Sequence, residues 1–325
     1  MNIRENTKRA LAAVGLLQPV RRIVHPVRSR IANTIYVARE LLYRLPRPFT
    51  EPVGQVPELA SLAGMLAQEL ATKGIVVLPK YLSGARLAQI QADFAAMVSK
   101  IESAPNGPEK LSPPGYLPQT LYLEDESNKE ACTICSNNPF KHVREFLSLS
   151  TDSLILGVVA RYLRRPFYLQ QSVASRYLPM EPKDFGSFQW HHDAWGRKVN
   201  VMFLFTDVAN QDQHMSYMEG SHRHIHNRDR CWNSRFKDEE VRNLFPSANR
   251  VRCTGEAGTV FIFDSNGMHR GNRSMGRHRD TLITSFNAGR YVWTFEVPTA
   301  FQESLNREQQ AFLRESSKVV WRDLP

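Results

Sequence analysis

Cysteine is scarce in this chain, and long apolar runs are missing. Only four of the 325 residues are cysteines, which excludes a small disulfide-stabilised scaffold. No run reaches the roughly twenty consecutive apolar residues of a membrane span. Internal repeats and low-complexity tracts are also absent. With 42% hydrophobic and 23% charged residues, the composition is that of a globular protein with a full core.

Two of the cysteines, Cys132 and Cys135, form a Cys-x-x-Cys pair. A structural zinc site needs two further ligands at similarly short spacing, and Cys231 and Cys253 do not supply such a pair. The sequence therefore favours thiols in a reducing compartment over a zinc or redox pair. On this basis we expect a cytoplasmic protein.

Acidic residues are nearly absent from the first fifty positions. Residues 1–50 contain ten Lys and Arg but only Glu5 and Glu40, so this arm carries +8 of the formal net charge of +10. A candidate helix follows Asn33, and four apolar residues share one of its faces: Ile35, Ala38, Leu42 and Leu45. Three interpretations stay open, namely peripheral contact with an anionic membrane surface, a helix packed on the core, and a transit peptide.

The most specific feature of the sequence is a pattern of metal ligands. In the stretch Trp190-His191-His192-Asp193, extended backbone would place His191 and Asp193 on one face while His192 points away. The apolar strand predicted at 258–263 then leads to His269. Two imidazoles and one carboxylate leave half of an octahedron open, which is the facial triad of non-heme Fe(II) oxygenases. A lone His-x-Asp is a weak signal, and the order of the segments makes it specific.

An arginine with a candidate role in co-substrate binding follows the distal histidine. Arg279 lies ten positions beyond His269 and begins a predicted strand. A guanidinium presents a rigid fork of donors that matches a carboxylate, so we predict that Arg279 holds the distal carboxylate of 2-oxoglutarate. Thr281 shares the strand face and would add a second contact. The predicted cofactors are Fe(II), 2-oxoglutarate and O2, with ascorbate as an optional reductant.

Several segments match a known family in order along the chain. They are the strand and helix at 74–79 and 82–87, the Trp-His-x-Asp segment at 190–193, the strand at 204–208, and the turn at 218–222, where Glu219 stands in place of the usual proline. Over roughly 65–290 the chain resembles the phytanoyl-CoA dioxygenase family of Fe(II)/2-oxoglutarate oxygenases. The resemblance implies a mainly β fold with flanking helices (α+β) around a double-stranded β-helix core of the jelly-roll or cupin-like type.

The same resemblance implies hydroxylation of an unactivated C–H bond in a small molecule. Similar halogenases carry a small residue where this chain has Asp193, so the carboxylate indicates hydroxylation or a related oxidation. Arg176 lies where many members have a basic residue, which implies a place near the keto-acid carboxylate. The alternatives from other classes are a non-catalytic jelly-roll binding module and a membrane-surface adaptor.

Basic residues gather in two segments near the expected mouth of the site. They are His222, Arg223, His224, His226, Arg228, Arg230, Arg270, Arg273, Arg277 and His278. Such clusters bind phosphate or carboxylate, and a solvated basic loop is the alternative. We favour an anionic lipid, glycan or acyl conjugate as the substrate. Nucleic acid is not expected, because no binding motif accompanies the charge.

The coarse organisation is a basic arm and linker at 1–56, a dioxygenase domain at 57–300 and a C-terminal helix within 301–325. Hydrophobic spacing predicts helices at 57–72, 87–98, from Pro139 onward, at 152–163 and at 303–322. A proline-rich loop is predicted at 103–119. Between 166 and 286 the spacing of the hydrophobic residues shortens toward two, which predicts strands.

Overall fold

The computed structural model describes residues 57–103, 119–123, 131–182, 186–193, 198–224, 235–288 and 294–323, together with Thr34 and Ala38. Apart from those two residues, the described stretches belong to one compact unit that spans 46–224 and 235–325. The predicted arm at 1–56 therefore lies outside the described residues except at Thr34 and Ala38, which are helical. The domain boundaries set at 56 and 300 stay predictions.

Six α-helices occur within these stretches. They are α1 (Pro57–Lys73), α2 (Gly84–Glu102), α3 (Arg144–Ser150), α4 (Ser153–Leu163), α5 (Asp238–Leu244) and α6 (Arg307–Ser316). Helix α1 ends at Lys73. The next residue is Gly74, whose φ of 82° suits glycine and whose amide donates to Leu70 O at 2.8 Å. Asp152 caps α4, its carboxylate accepting from Leu154 N and Ile155 N. The helices predicted at 57–72 and 152–163 are thereby confirmed.

A seven-stranded sheet forms the larger wall of the fold. Its strands in spatial order are β1 (Ile75–Leu78), β10 (Val260–Asp264), β6 (Lys198–Leu204), β12 (Arg279–Asn287), β4 (Tyr168–Tyr177), β3 (Ala131–Ser136) and β2 (Gln119–Leu123). All neighbouring pairs are antiparallel. Residues far apart along the chain are therefore direct neighbours in this sheet.

A five-stranded antiparallel sheet forms the second wall. Its order is β8 (Arg235–Phe236), β5 (Trp190–His191), β11 (His269–Asn272), β7 (His214–Met218) and β9 (Arg250–Cys253). A separate parallel pair joins β13 (Thr294–Pro298) to β14 (Lys318–Arg322). Both strands that carry the predicted histidine ligands, β5 and β11, thus lie side by side.

Side-chain alternation along the strands divides the interior into layers. In β6, Val201 and Phe203 join the cluster that includes residues of helices α1 to α4, whereas Met202 and Leu204 join a cluster with Tyr217 of the smaller sheet. The second cluster therefore lies between the two sheets. Two facing antiparallel sheets, with helices α1 to α4 packed against the larger one, confirm the predicted mainly β fold with a double-stranded β-helix core.

Two departures from the predicted elements have a cause in the local sequence. The helix predicted at 303–322 ends at Ser316, and Lys318–Arg322 forms β14, because Val319, Val320 and Trp321 favour a strand. Helix α5 interrupts the predicted run of strands. Its amino end carries Asp238, Glu239 and Glu240, and acidic residues favour that end of a helix.

One described stretch, 144–163, is long and apolar enough to cross a membrane by length and composition alone. It contains α3 and α4, and most of it is buried inside the fold. Phe140, Val143 and Leu147 are buried in the same region. Core helices of a globular domain have these properties.

Candidate active site

The structure brings His191, Asp193 and His269 together. His191 on β5 and His269 on β11 are direct partners in the smaller sheet, and their ring centroids lie 4.2 Å apart. One potential ligand atom from each of the three residues lies within 4.8 Å of the others. Among the described residues, this is the one group of three or more His, Cys, Asp or Glu that could hold a metal ion.

Both imidazoles are oriented by the backbone. His191 Nδ1 lies 2.9 Å from Gln189 O, and His269 Nδ1 lies 2.8 Å from Gly267 O. A carbonyl oxygen can only accept, so each Nδ1 must carry the proton that it donates. Each Nε2 therefore has its lone pair available for a metal, as in metal sites whose other ring nitrogen is held by a carbonyl.

The turn between β10 and β11 positions two of the three ligands. Asp193 N donates to Ser265 O at 2.7 Å, and Gly267 O accepts from His269. Ser265 N donates in turn to Lys198 O at 3.0 Å, which connects the turn to the start of β6. This network ties the carboxylate ligand, the distal histidine and the larger sheet to one short segment.

The protonation states suit metal binding at neutral pH. Burial, together with the nearby His269, lowers the pKa of His191 to about 3, and burial also lowers the pKa of His269. Burial opposes ionisation of Asp193, but the Lys198 ammonium holds the pKa of that carboxyl below its usual range. Two neutral imidazoles and one carboxylate are the forms that ligate metals.

Two cations that the sequence analysis did not single out flank these ligands. Lys198 Nζ lies 3.2 Å from Asp193 Oδ2, and the Lys198 side chain is only 13% exposed. Arg235 of β8 is the register partner of His191, so its side chain leaves the same face of the sheet. The positive charges of both residues contribute to the low pKa of His269.

Arg279 and Thr281 lie together on the inner face of β12. Arg279 is 5% exposed and its guanidinium lies 4.4 Å from the centroid of the Tyr177 ring. Three buried polar atoms of these residues have no hydrogen-bond partner within the described part of the chain, namely Arg279 Nε, Arg279 Nη1 and Thr281 Oγ1. Buried polar atoms without partners are rare, and a carboxylate bound here would supply acceptor oxygens to such donors.

The family comparison agrees with this geometry. The model of the phytanoyl-CoA dioxygenase family matches residues 70–279, which is well over half of the chain. The chain belongs to the phytanoyl-CoA dioxygenase family. It is therefore an iron- and 2-oxoglutarate-dependent dioxygenase, as predicted, and its cofactors are iron, 2-oxoglutarate and O2. No curated protein matches the chain.

Solved structures with the same fold have low sequence identity to this family member. EctD from S. alaskensis, with 2-oxoglutarate and 5-hydroxyectoine bound, is 18% identical with a TM-score of 0.54, over 75% of this chain and 83% of that one. The epimerase SnoN from nogalamycin biosynthesis, with Fe3+, alpha-ketoglutarate and nogalamycin RO, is 15% identical with a TM-score of 0.53, over 70% and 84% of the two chains. These similarities support the fold.

Arg176 is not brought to the site of this dioxygenase. Arg176 on β4 is the register partner of Asp280 on β12. Because side chains alternate along a strand, Asp280 points to the opposite face from its neighbours Arg279 and Thr281. The Arg176 guanidinium donates to both Asp280 oxygens at 2.8 and 2.7 Å and lies over the Phe94 ring of α2. Arg176 therefore lies on the helix-covered face of the sheet, away from the metal ligands.

Other histidines, cysteines and basic residues of the chain have separate roles. His214 and His222 each hydrogen-bond to a backbone carbonyl, of Asp212 and Ala71 respectively. Cys135 and Cys253 are buried, and Cys231 lies outside the described residues. Of the predicted basic cluster, His226, Arg228 and Arg230 lie outside them as well. Arg270 and Arg277 pair with Asp238 and Asp212.

Proposed function

We propose that this dioxygenase hydroxylates an unactivated C–H bond of a small anionic molecule. The observation that carries the proposal is the pairing of two arrangements in one interior. Three ligand atoms within 4.8 Å of one another lie in the same interior as a buried guanidinium with two donors unsatisfied among the described residues. The first fits a metal with open positions, and the second fits the far carboxylate of 2-oxoglutarate.

Each residue has one role in this proposal. His191, Asp193 and His269 hold the iron, which together with 2-oxoglutarate and O2 supplies the oxidant for the C–H bond. Arg279 binds the distal carboxylate of the co-substrate through its planar fork, and Thr281 Oγ1 donates a further hydrogen bond. The backbone carbonyls of Gln189 and Gly267 keep the two imidazoles in the ligating tautomer.

The anionic character of the substrate follows from the charge around the ligands. Asp193 contributes −1, whereas Lys198 and Arg235 contribute +1 each. Arg279, which binds the distal carboxylate of the co-substrate, contributes a further +1. The charges of Fe(II) and of the 2-oxoglutarate dianion cancel, so these protein groups leave a net charge of +2 at the site. A substrate with a carboxylate or phosphate near the reacting carbon would offset this charge. An anionic lipid, glycan or acyl conjugate fits this requirement.

The activity is tested first without a substrate. Purified protein with Fe(II), ascorbate and 2-oxoglutarate should form succinate slowly, and Asp193→Ala should abolish that formation. Glu256→Ala, which removes an exposed carboxylate that pairs with Lys80, is the matched control and should leave it unchanged. Succinate formation by Asp193→Ala at the wild-type rate would contradict the metal assignment. A wild type that forms no succinate would favour a binding module.

The substrate class is tested with matched pairs of compounds. Each pair consists of an acid and its neutral amide, and succinate above the uncoupled background is measured for both. The wild type should prefer the acids, and Lys198→Met should reduce that preference by about tenfold, the effect of roughly 1.4 kcal/mol. Equal succinate formation with acids and amides would remove the anionic substrate while leaving the oxygenase assignment in place.

A further inference from the structure

The backbone alone holds the two histidine ligands together weakly. Strand β5 consists of Trp190 and His191 only, and it pairs with β11 through a single register pair, His191 with His269. Its other neighbour, β8, is equally short. Short strands at the edge of a small sheet have few ladder hydrogen bonds, so other contacts must fix the separation of these two residues.

Those contacts lie on the opposite face of the same strands. Trp190 precedes His191 and Arg270 follows His269, so both side chains point away from the metal ligands. The Arg270 guanidinium lies 5.0 Å from the centroid of the Trp190 ring. Trp190 Nε1 donates to Asp238 Oδ1, and Arg270 Nη1 lies 2.9 Å from the same oxygen. One carboxylate thus joins the two strands that carry the histidines.

A second arginine completes the arrangement. The Arg250 guanidinium lies 5.4 Å from the centroid of the Trp190 ring. It donates to Ser216 Oγ on β7 and to Asn272 Oδ1 on β11. The indole therefore has two guanidinium neighbours, a favourable arrangement because cations are attracted to aromatic faces. We call Trp190, Asp238, Arg250 and Arg270 the outer clasp.

We infer that the outer clasp positions His191 against His269 and so sets the affinity and geometry of the metal centre. The inference rests on the proposed roles of these histidines as ligands. Each histidine is covalently adjacent to a clasp residue, so a change in the Trp190–Arg270 contact moves the backbone of both ligands. Residues that orient metal ligands typically change metal affinity by 10- to 100-fold when they are substituted.

Three variants of the full chain test the clasp. Asp238→Asn keeps an oxygen acceptor for the indole but loses the charge that pairs with Arg270. Arg270→Gln removes both the cation–π contact with the Trp190 ring and the ion pair with Asp238. Trp190→Phe removes the indole N–H that donates to Asp238. Glu239→Gln is the matched control, since it neutralises the neighbouring acid in the same first turn of α5 and lies outside the clasp. Asp238→Asn is the mildest change and keeps the test usable if Trp190→Phe fails to fold.

The measurement is titration of the metal-free protein with Co(II), followed by visible absorption. The affinity reports metal binding, and the band shape reports the coordination geometry, which a loss of general stability would not alter in protein that stays folded. Each clasp variant should bind Co(II) about tenfold or more weakly, with changed bands, whereas Glu239→Gln should match the wild type. The double variant Trp190→Phe/Arg270→Gln should lose less than the sum of its single variants, because the two side chains act on one contact.

Two results would overturn the inference, and they are distinguishable. Co(II) binding by the wild type with unchanged affinity and bands in all folded clasp variants would remove the clasp and leave the metal centre intact. A wild type that binds no Co(II) would remove the clasp together with the proposed function.

Discussion

At the scale of single residues, Arg279 combines burial, charge and unsatisfied donors. Burial lowers its pKa, but a guanidinium stays protonated at neutral pH. A buried donor left without a partner costs about 1–3 kcal/mol. A ligand oxygen that accepts from either donor reduces that cost, and a carboxylate supplies charged acceptor oxygens.

We expect Arg279→Lys to weaken 2-oxoglutarate binding by about 10- to 100-fold. Lysine keeps the charge but loses the fork, and hydrogen bonds to charged groups contribute about 1.5–3 kcal/mol. Titration calorimetry of 2-oxoglutarate into Co(II)-loaded protein measures the change. Arg277→Lys, two residues away and largely exposed, is the control. Unchanged affinity of Arg279→Lys would show that the co-substrate binds elsewhere.

His142 should make the apo protein less stable in mild acid. Burial, followed by the charges of Lys100 and Lys141, lowers its pKa to about 4, whereas the unfolded chain has the ordinary value near 6.5. Between these values the unfolded state binds more protons, so the free energy of unfolding falls as the pH is lowered from 6.5 toward 4.

The pH dependence of thermal unfolding checks this sign. With metal removed, His142→Gln should show a smaller fall in Tm between pH 6.5 and 4 than the wild type, because its side chain does not titrate. The difference should vanish above pH 7.5, where the histidine is neutral in both states. An identical slope in the two proteins would assign the acid sensitivity to other groups.

The sequence predicted some site residues well and others not at all. His191, Asp193 and His269 follow from spacing and strand alternation, and the structure brings them together. The position of Arg176 could not be predicted from local pattern, because it depends on the register of β4 against β12. That register places Arg176 beside Asp280, on the face of the sheet away from the metal ligands. Lys198 was not predicted, because it follows Asp193 by five residues and strand alternation places such a pair on opposite faces.

At the scale of elements, the turn after β10 depends on a residue without a side chain. A Cβ added at Gly267 would lie 1.9 Å from Tyr217 Oη, and that phenol donates to Asp264 O at 3.0 Å within the same turn. Tyr217 is fully buried, so it cannot move aside at low cost. The close approach fixes the carbonyl of Gly267 where it accepts from His269.

We expect Gly267→Ala to lower both Tm and Co(II) affinity, the latter by more than about tenfold, because displacement of this carbonyl frees the His269 ring. Gly64→Ala in α1 is the matched control. Its added methyl group meets no atom within 4 Å, and alanine in a helix is favoured by about 0.5–1 kcal/mol. Calorimetry and Co(II) titration compare the two variants. Native affinity in Gly267→Ala would mean that the turn relaxes freely.

The elements that the sequence failed to predict are short and acquire their stability from neighbours. Helix α5 has seven residues and one buried apolar residue, Val241, which is too little for a periodic signal. Its remaining signal was the acidic first turn, where Glu240 accepts from Lys237 N. The sequence of β14 continues the helical pattern of α6, but in the structure its residues pair with β13. Tertiary pairing overrides local pattern in both cases.

At the scale of the whole molecule, the order of strands could not come from local pattern. Strand β1 pairs with β10, so Ile75 is the partner of Phe263. The sequence predicts that both are strands, Ile75 through the family resemblance and Phe263 through its pattern, but the pattern does not predict that they are neighbours. The family resemblance supplied that connection, because it implied a closed pair of sheets that brings distant segments together. The described unit confirms this arrangement, while the basic arm at 1–50 stays a prediction.

The arm gives the last prediction, which concerns charge. If residues 1–50 contact an anionic membrane surface, replacing Arg21, Arg22, Arg28 and Arg30 by Gln in the full chain should reduce co-sedimentation with phosphatidylserine vesicles by at least about tenfold, since each cation near the surface contributes about 1 kcal/mol. The control replaces four exposed cations of the described unit, namely Lys80, Arg314, Lys318 and Arg322, and changes the net charge equally. Retained binding in the first variant, or an equal loss in both, would remove a specific membrane role for the arm.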